Sequence, residues 1–581
     1  MQAVSTSSLF QSAESEALGG LRAHKAKLTA EGAQYGYPIQ LNPNFDAAAL
    51  ASEGAGADGG RFRVLSTRVT THPETGASHV WTGEAGGVVR QTDLEGGKPI
   101  NTYKGAKGPV PSFDFLTDKM QATWLVSGSW DKALRFYQIS KDTLPPTKQA
   151  PALTIEGAMD DFIKCVHVFY PSKDSTLLAV GGSDKSIKIF DISPLVISSG
   201  AQVTADQIRC VHQSRSHTRP INAISSLSDA DGLLRLYSAD SMGRVLEYTW
   251  DATTQRLYVS REILGFETAV YDLRVFWARE EVEGDDNTQS KASDAFITAV
   301  KESEDGSRFR RVAMLWGASG DKSAAGYRLS PPAASSSGGR DSAATALKRP
   351  TSLALLGDRP PLTTPFVKIA HRDYVKSVLP LSLFLAEHPE LVDSTTLAAL
   401  VPDSDVLSTG VVTAGSDDHL RYFPDPPKAG QSSEDHDVYE LGGHWNEVTS
   451  LVSWVRPPSL QPCTTGTDSE GQQQQSALPS SSQEQSELWI VSAGLDGSVR
   501  RWPVSQLTLY PKPAAAPSIS NAAPTNIHAS EHWTIDSVPD IKSGSRLQPD
   551  DAPIQPKAGG IQMTAEEEAE LAELMDSDGD E

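Results

Sequence analysis

Five aspartates recur along this 581-residue chain in the same company. Asp131, Asp184, Asp321, Asp417 and Asp496 each follow a run of small residues and precede a short stretch that ends in an aromatic residue. Three histidines, His217, His371 and His444, stand ahead of such stretches. Carboxylates and imidazoles are the groups of acid–base catalysis and of cation binding, so these rows invite both readings. Their spacing points elsewhere. A residue that returns once per unit at the same place in a turn performs the same task each time, and that task is hydrogen-bonding the turn. The histidines are read in the same way, as structural partners in a polar network that is tolerable only when satisfied. The basic residues Arg135, Lys188, Arg421 and Arg500 also recur, and are read as outward charges that keep the surface soluble. The sequence holds no phosphate-cradling Gly-Lys-Ser loop, zinc-binding His-Glu-x-x-His or Gly-x-Ser-x-Gly elbow. Cys165, Cys210 and Cys463 are too far apart for metal-ligand spacing, and an odd number argues against a disulfide framework. The reading is of a chain that is not an enzyme and carries neither cofactor nor metal.

The elements that position these residues repeat with them. An eleven-residue window is clearest at 127–137 (SGSWDKALRFY), 180–190 (VGGSDKSIKIF), 413–423 (TAGSDDHLRYF) and 492–502 (SAGLDGSVRRW). It continues at 238–248 (SADSMGRVLEY), 317–327 (GASGDKSAAGY) and, most weakly, 82–92 (TGEAGGVVRQT). Apolar runs precede the windows, so each reads as strand, tight turn, strand, with Asp-Lys, Asp-Asp or Asp-Gly supplying residues that tolerate turn geometry. A further strand lies upstream in most units, as at 163–169, 221–227, 270–275, 374–379 and 448–452. Several short strands per unit, repeated seven times, predict an all-β fold: a seven-bladed β-propeller of four-stranded antiparallel blades. The blades are placed at about 61–104, 105–155, 156–215, 216–262, 263–365, 366–440 and 441–509. Residues 35–41 are read as a strand that closes the ring on the last blade, which would remove the open edge of the sheet stack.

These windows resemble the WD repeat. Gly443-His444 with Trp502, and Phe190-Asp191, match it best. The resemblance implies a hydrogen-bonded set of His444, Ser492, Asp496 and Trp502 in blade seven. It also implies a platform that holds other proteins together. Gly86 and Met242 stand at the turn-aspartate position and Thr92 at the aromatic one, so blades one and four are expected to be less rigid. Segments 266–273, 371–378 and 442–451 are further similar to propellers of the phospholipase-activating-protein group, which implies ubiquitin as a partner.

The formal charge of −23 is unevenly placed, because 564–581 holds nine acidic residues and no basic one and leaves −14 on the rest. That balance predicts no nucleic acid as primary ligand, although a local basic patch remains compatible with it. No run of apolar residues is long enough to insert in a membrane, and the start of the chain has no leader pattern. The protein is therefore placed in cytoplasm or nucleus. Residues 1–33, 510–560 and the insertions at 278–292, 330–351 and 457–487 are low in complexity and read as disordered. Residues 389–407 could form a short helix or lid. In 561–581, Thr564 and Glu567 make a capping-box signature before Leu571, Leu574 and Met575, a short amphipathic helix suited to a partner. Aromatic and basic residues dominate binding hot spots, so Trp130, Arg219, Arg372, Tyr374 and Trp445 are the candidate contact residues on the rim, with Leu571 and Leu574 in the tail.

Overall fold

A computed structural model describes residues 36–42 and 59–510, apart from 74, 119–120, 140–146, 198–202, 282–295, 299, 303–307, 331–358, 389–404, 432–435 and 459–485. Its strands form seven separate antiparallel sheets, each built around four strands. Blade one comprises Val64–Thr71, Ser78–Glu84, Val88–Asp93 and Pro99–Lys104. Blade two comprises Ser112–Asp118, Gln121–Gly128, Leu134–Gln138 and Leu153–Ile155. Blade three comprises Ile163–Ser172, Ser175–Gly182, Ile187–Asp191 and Arg209–Ser214. Blade four runs from Ile221–Ser228 through Leu234–Asp240 and Val245–Asp251 to Arg256–Ile263. Blade five runs from Val270–Glu281 through Arg308–Ser319 and Ser323–Arg328 to Val367–Ala370, so it extends past 365. Blade six holds Val375–Pro380, Val411–Gly415, Leu420–Phe423 and Tyr439–Leu441. Blade seven holds Val448–Arg456, Glu487–Gly494 and Ser498–Pro503, and takes its outer strand from the start of the chain: Tyr37–Gln40 pairs with Ser498–Arg501. Blade one gains a fifth, parallel strand, Thr147–Gln149, from the chain of blade two.

The first strand of each blade packs on the first strand of the next, and the seventh returns to the first, which closes the ring. The apolar core follows that order, with its clusters lying between neighbouring blades. Phe113, Phe115 and Leu125 of blade two meet Trp81 and Tyr103 of blade one, and Cys165, Leu177 and Ile189 of blade three meet Leu236, Leu246 and Trp250 of blade four. Full burial of such a side chain stabilises by roughly 1.5–3 kcal/mol, so the stability of the ring resides in the contacts between blades.

The inner edge of each sheet faces the ring axis and would expose unpaired backbone groups. Side chains of adjacent blades meet several of them. Ser112 Oγ accepts the Val166 N–H at 3.1 Å, and Asp114 Oδ2 the Val168 N–H at 2.8 Å. From blade five to six, Asp272 accepts the Val378 N–H at 3.2 Å, and from six to seven Ser377 accepts the Leu451 N–H at 3.1 Å. Asp114 further continues through His167 (3.4 Å) to Ser226 (2.8 Å), which ties blades two, three and four together.

The hairpin between the second and third strands has one backbone requirement in all seven blades. Gly87, Lys132, Lys185, Gly243, Lys322, Asp418 and Gly497 occupy the sixth position of the window, and all have φ between 64° and 78°. Glycine takes this left-handed conformation freely, whereas an L side chain does so at a cost of about 1–2 kcal/mol, part of which glycine's greater unfolded-state freedom offsets. Lys322 is exposed, and its carbonyl accepts the His371 N–H, a bond that any residue can make. Lys322→Gly should therefore raise stability by about 0.5–1 kcal/mol in urea titration, and a loss would show that its side chain contributes more than its backbone costs.

Candidate functional site

The turn aspartates bind backbone across the loop that leads into the same blade's inner strand. Asp131 accepts the Lys107 N–H at 2.7 Å, Asp184 the Asp160 N–H at 3.2 Å, Asp321 the Glu267 N–H at 3.0 Å and Asp496 the Trp445 N–H at 3.3 Å. Each also accepts the N–H two residues ahead, from Ala133, Ser186, Ser323 and Ser498. One carboxylate thereby fixes a hairpin tip and an approach loop on the same face of the ring. Asp417 instead pairs with Arg421 at 2.6 Å. No group of three or more His, Cys, Asp and Glu converges among the described residues.

Blade seven brings His444, Ser492, Asp496 and Trp502 together. Trp502 Nε1 donates to Ser492 Oγ at 2.9 Å, His444 Nε2 lies 2.8 Å from that oxygen, and His444 Nδ1 lies 2.8 Å from Asp496. Since the Asp496 carboxylate can only accept, Nδ1–H donates to it, and in the neutral imidazole Nε2 is left to accept the Ser492 hydroxyl proton while that oxygen accepts from Trp502. Blade four has a second such set. His217 reaches Ser238 at 2.6 Å and Asp240 at 3.0 Å, and the Tyr248 hydroxyl lies 3.5 Å from Ser238. In this blade Met242 takes the turn position, and the acid has moved two residues earlier. Asp240 accepts from the N–H groups of Met242 and Arg244. Blade one makes the same exchange, because Glu84, two residues before Gly86, pairs with Arg90 at 2.7 Å. In both blades the acid stands two residues before the turn position of the window.

The recurrent basic residues do not point outward. Arg135 and Arg500 are buried, at 2% and 0% exposure, and Arg421 and Lys188 are partly buried. They reach back to the acids of their own turns or of the neighbouring loop: Arg135 to Asp131 at 2.7 Å, Lys188 to Asp160 at 3.1 Å. Burial lowers the Arg500 pKa to about 10, against the pull of Asp496.

A ring of side chains at the mouth of the same face escaped the sequence reading. In six blades the second residue of the inner strand is a bulge without a cross-strand partner: Leu65, Lys164, Asn222, Tyr271, Lys376 and Thr449. A bulge re-aims its side chain, and here several of them reach the adjacent blade. Lys164 Nζ donates to Asn222 (3.1 Å), Asn222 to the Val270 carbonyl (3.2 Å), and Thr449 to the Val64 carbonyl (2.8 Å). Lys376 Nζ stands 4.0 Å above the Tyr271 ring, 6.0 Å from that of Tyr374 and 3.7 Å from Glu447. The Val or Ile that precedes each bulged residue was the available signal.

Of the candidate contact residues, Trp130 and Tyr374 are 41% and 45% exposed, and Arg219 and Arg372 are also exposed. Trp445 is 6% exposed, with its N–H on Asp496, and has little surface to offer a partner. Leu571 and Leu574 lie outside the described residues, as do 1–33, 511–581 and most of each insertion. The helix read within 389–407 falls mostly there too; the described helices on either side are Ser382–Glu387 and Asp405–Thr409. The first of these packs on the inner strands of blades five and seven, with Ser453 Oγ donating to Glu387. It borders an axial cavity of about 1450 Å3 lined by Arg68, Asp114, His167, Arg274 and Trp454 among others.

The acids on this framework set its response to pH. Burial alone would raise the pKa of Asp496, but the charge and hydrogen bond of His444 and the charge of Arg500 hold it below the ordinary value. Asp114 and Asp240 are likewise lowered against burial, by His167 and His217. A depressed folded-state pKa contributes stability above the unfolded value of about 3.9, and that contribution is lost as pH falls through the folded value. Glu84 runs the other way, because burial raises it in spite of Arg90. Burial also lowers His79, His212 and His371, the last to about 3, so these neutral imidazoles add stability above the unfolded value of about 6.5 that is lost as pH falls toward the folded values. The urea midpoint should therefore begin to fall below about pH 6.5 and fall more steeply below about pH 4, with a shallower fall below pH 4 in Asp496→Asn. A midpoint independent of pH in that range would contradict this assignment.

The seven-sheet ring and its latched turns define a β-propeller whose one face gathers loops from successive blades. A family profile described as WD domain, G-beta repeat matches residues 97–138 and 150–191, and the chain is a WD-repeat β-propeller. It is similar to the "Poly(A)+ RNA export protein" of Schizosaccharomyces pombe, with 33% identity over 21% of this chain and 32% of that protein. It is also similar to an uncharacterized WD repeat-containing protein of the same organism, with 24% identity over 26% of this chain and 35% of that one. The chain thus spans about a third of each relative's length. WD-repeat propellers generally mediate protein–protein interactions and are typically non-catalytic. Among the described residues no helix is long and apolar enough to cross a membrane.

Proposed function

We propose that the chain is a non-catalytic scaffold that holds other proteins in an intracellular complex, with a partner docking on the sector of the rim formed by blades five to seven. The cluster of Tyr271, Tyr374, Lys376 and Glu447 carries this reading. It joins three blades, offers a tyrosine that is 45% exposed, and is ordered by its own cation–π contacts. Ordered aromatic and basic side chains lose little entropy on binding and dominate hot spots; Arg372, exposed beside Tyr374, completes such a set. Similarity to a poly(A)+ RNA export protein supports placing that complex in RNA export.

A second reading has its own support. The three segments similar to ubiquitin-binding propellers, 266–273, 371–378 and 442–451, contain Tyr271, Tyr374, Lys376 and Glu447, so they meet at this one cluster. The test is affinity purification of the full chain against the Arg372→Ala, Tyr374→Ala double variant. At least one partner should be lost, by a factor of ten or more (at least about 1.4 kcal/mol), while the melting temperature stays within about 2 °C. Retention of every partner would refute the placement. Titration with ubiquitin separates the two readings, because saturable binding lost in the same variant identifies ubiquitin as the occupant.

A further inference from the structure

On the opposite sector of the same face, two aromatic rings lie stacked in the open. Trp130 and Phe162 have centroids 5.6 Å apart and ring planes 18° from parallel, with 41% and 44% of their surfaces exposed. Their positions are rigidly set. Trp130 immediately precedes Asp131 in the hairpin turn of blade two, and its N–H donates to the Pro109 carbonyl. Phe162 ends the loop into blade three; its N–H donates to Asp161, and its carbonyl accepts the Ser183 N–H. The stack is thus assembled before any ligand arrives, and about two-fifths of each of its residues is open to solvent.

The charges around it are unequally spent. Asp131 is committed to Arg135 and to the Lys107 and Ala133 N–H groups, and Asp184 to the N–H groups of Asp160 and Ser186. Asp160 faces Lys188 at 3.1 Å and Arg215 at 3.6 Å, and its carbonyl accepts from Lys132. Lys107 and Lys185 are exposed on either side of these acids, and among the described residues their ammonium groups meet no carboxylate. Arg215, 72% exposed, extends the row toward blade four. A chain with a formal charge of −23 thereby presents a run of cations beside a flat aromatic platform.

Stacking faces flanked by cations are how proteins hold single strands without reading sequence, since every base has a π-face and every phosphate a charge. An acidic peptide would satisfy the cations but brings a ring only where an aromatic residue stands among its acids, whereas every nucleotide of a strand pairs a charge with a flat base. We propose that this sector binds single-stranded nucleic acid, with bases extending the Trp130–Phe162 stack and phosphates facing Lys107, Lys185 and Arg215. The site goes beyond the scaffold reading and uses other residues than Arg372 and Tyr374, so either can fail alone.

Fluorescence anisotropy of the full chain with labelled oligouridylate and oligothymidylate of about 12 nucleotides tests it. Saturable binding is expected, weakened at least about tenfold by Trp130→Ala with Phe162→Ala at an unchanged melting temperature. Lys107→Gln with Lys185→Gln should flatten the salt dependence, which keeps the test decisive if the aromatic variant unfolds. Tighter binding of the ribo- or the deoxyoligomer would identify the source of the strand. Absence of saturable binding would overturn the proposal. So would affinity that survives loss of both rings, or equal binding of a polyglutamate peptide that does not depend on them.

Discussion

Asp496→Ala is expected to cost about 3–5 kcal/mol, because it removes the acceptor from a buried network and keeps the donors. The carboxylate, 4% exposed as a residue, serves His444 Nδ1 at 2.8 Å, the Ser498 N–H at 3.0 Å, the Ser498 hydroxyl at 2.9 Å and the Trp445 N–H at 3.3 Å. Its charge also opposes the burial that lowers the pKa of the Arg500 guanidinium. Alanine leaves these groups in place and out of reach of water. Gly86→Ala in blade one is the natural comparison, and the geometry makes it costlier than a generic surface change. An added Cβ would lie 2.8 Å from the Arg61 carbonyl, so the neighbouring backbone must yield. The Asp496 variant should still lose about twice as much in urea titration, since overpacking costs roughly 1–3 kcal/mol. Equal shifts would mean that the blade seven network is not rigidly coupled to its turn.

An effect of similar size is expected in blade four. Glu247 is 0% exposed and lies 2.8 Å from Arg261, 3.0 Å from Arg359 and 3.9 Å from Arg235. All three guanidiniums also stand within 5.8 Å of the Phe296 ring, a face that attracts cations but cannot neutralise them. Among the described residues Glu247 is the one carboxylate within 4 Å of all three, and Glu247→Gln keeps the shape and deletes it. The prediction is a loss of about 3–5 kcal/mol, because Arg261, 3% exposed, would lose its carboxylate and remain buried beside two other guanidiniums. Arg359→Ala should cost less, since Arg359 is 22% exposed and can be solvated. Restoration of stability when Glu247→Gln is combined with Arg261→Met would show that the penalty is the unpaired charge and not lost packing, as a double-mutant cycle can resolve.

Some of this architecture was written into the chain locally. The strand–turn–strand windows, the turn residues that accept φ near 65° and the strand at Tyr37–Gln40 follow from side-chain periodicity and backbone sterics, which act over a few residues. The pairing of His444 with Asp496 across 52 positions was readable only through resemblance to a known repeat. Other features were decided when the ring closed. Whether Arg135 faces solvent or its own turn depends on which sheet packs against it, and the alternating pattern of a strand does not say. The bulge that turns Lys376 toward Tyr271 depends on the pairing of Val375 with Gly415 and of Ser377 with Ala414, and the Glu247 cluster gathers arginines from 235, 261 and 359. A linear sequence specifies which residues can hydrogen-bond, stack or carry charge. Which of them meet, and which are left facing water, is fixed by long-range packing between blades.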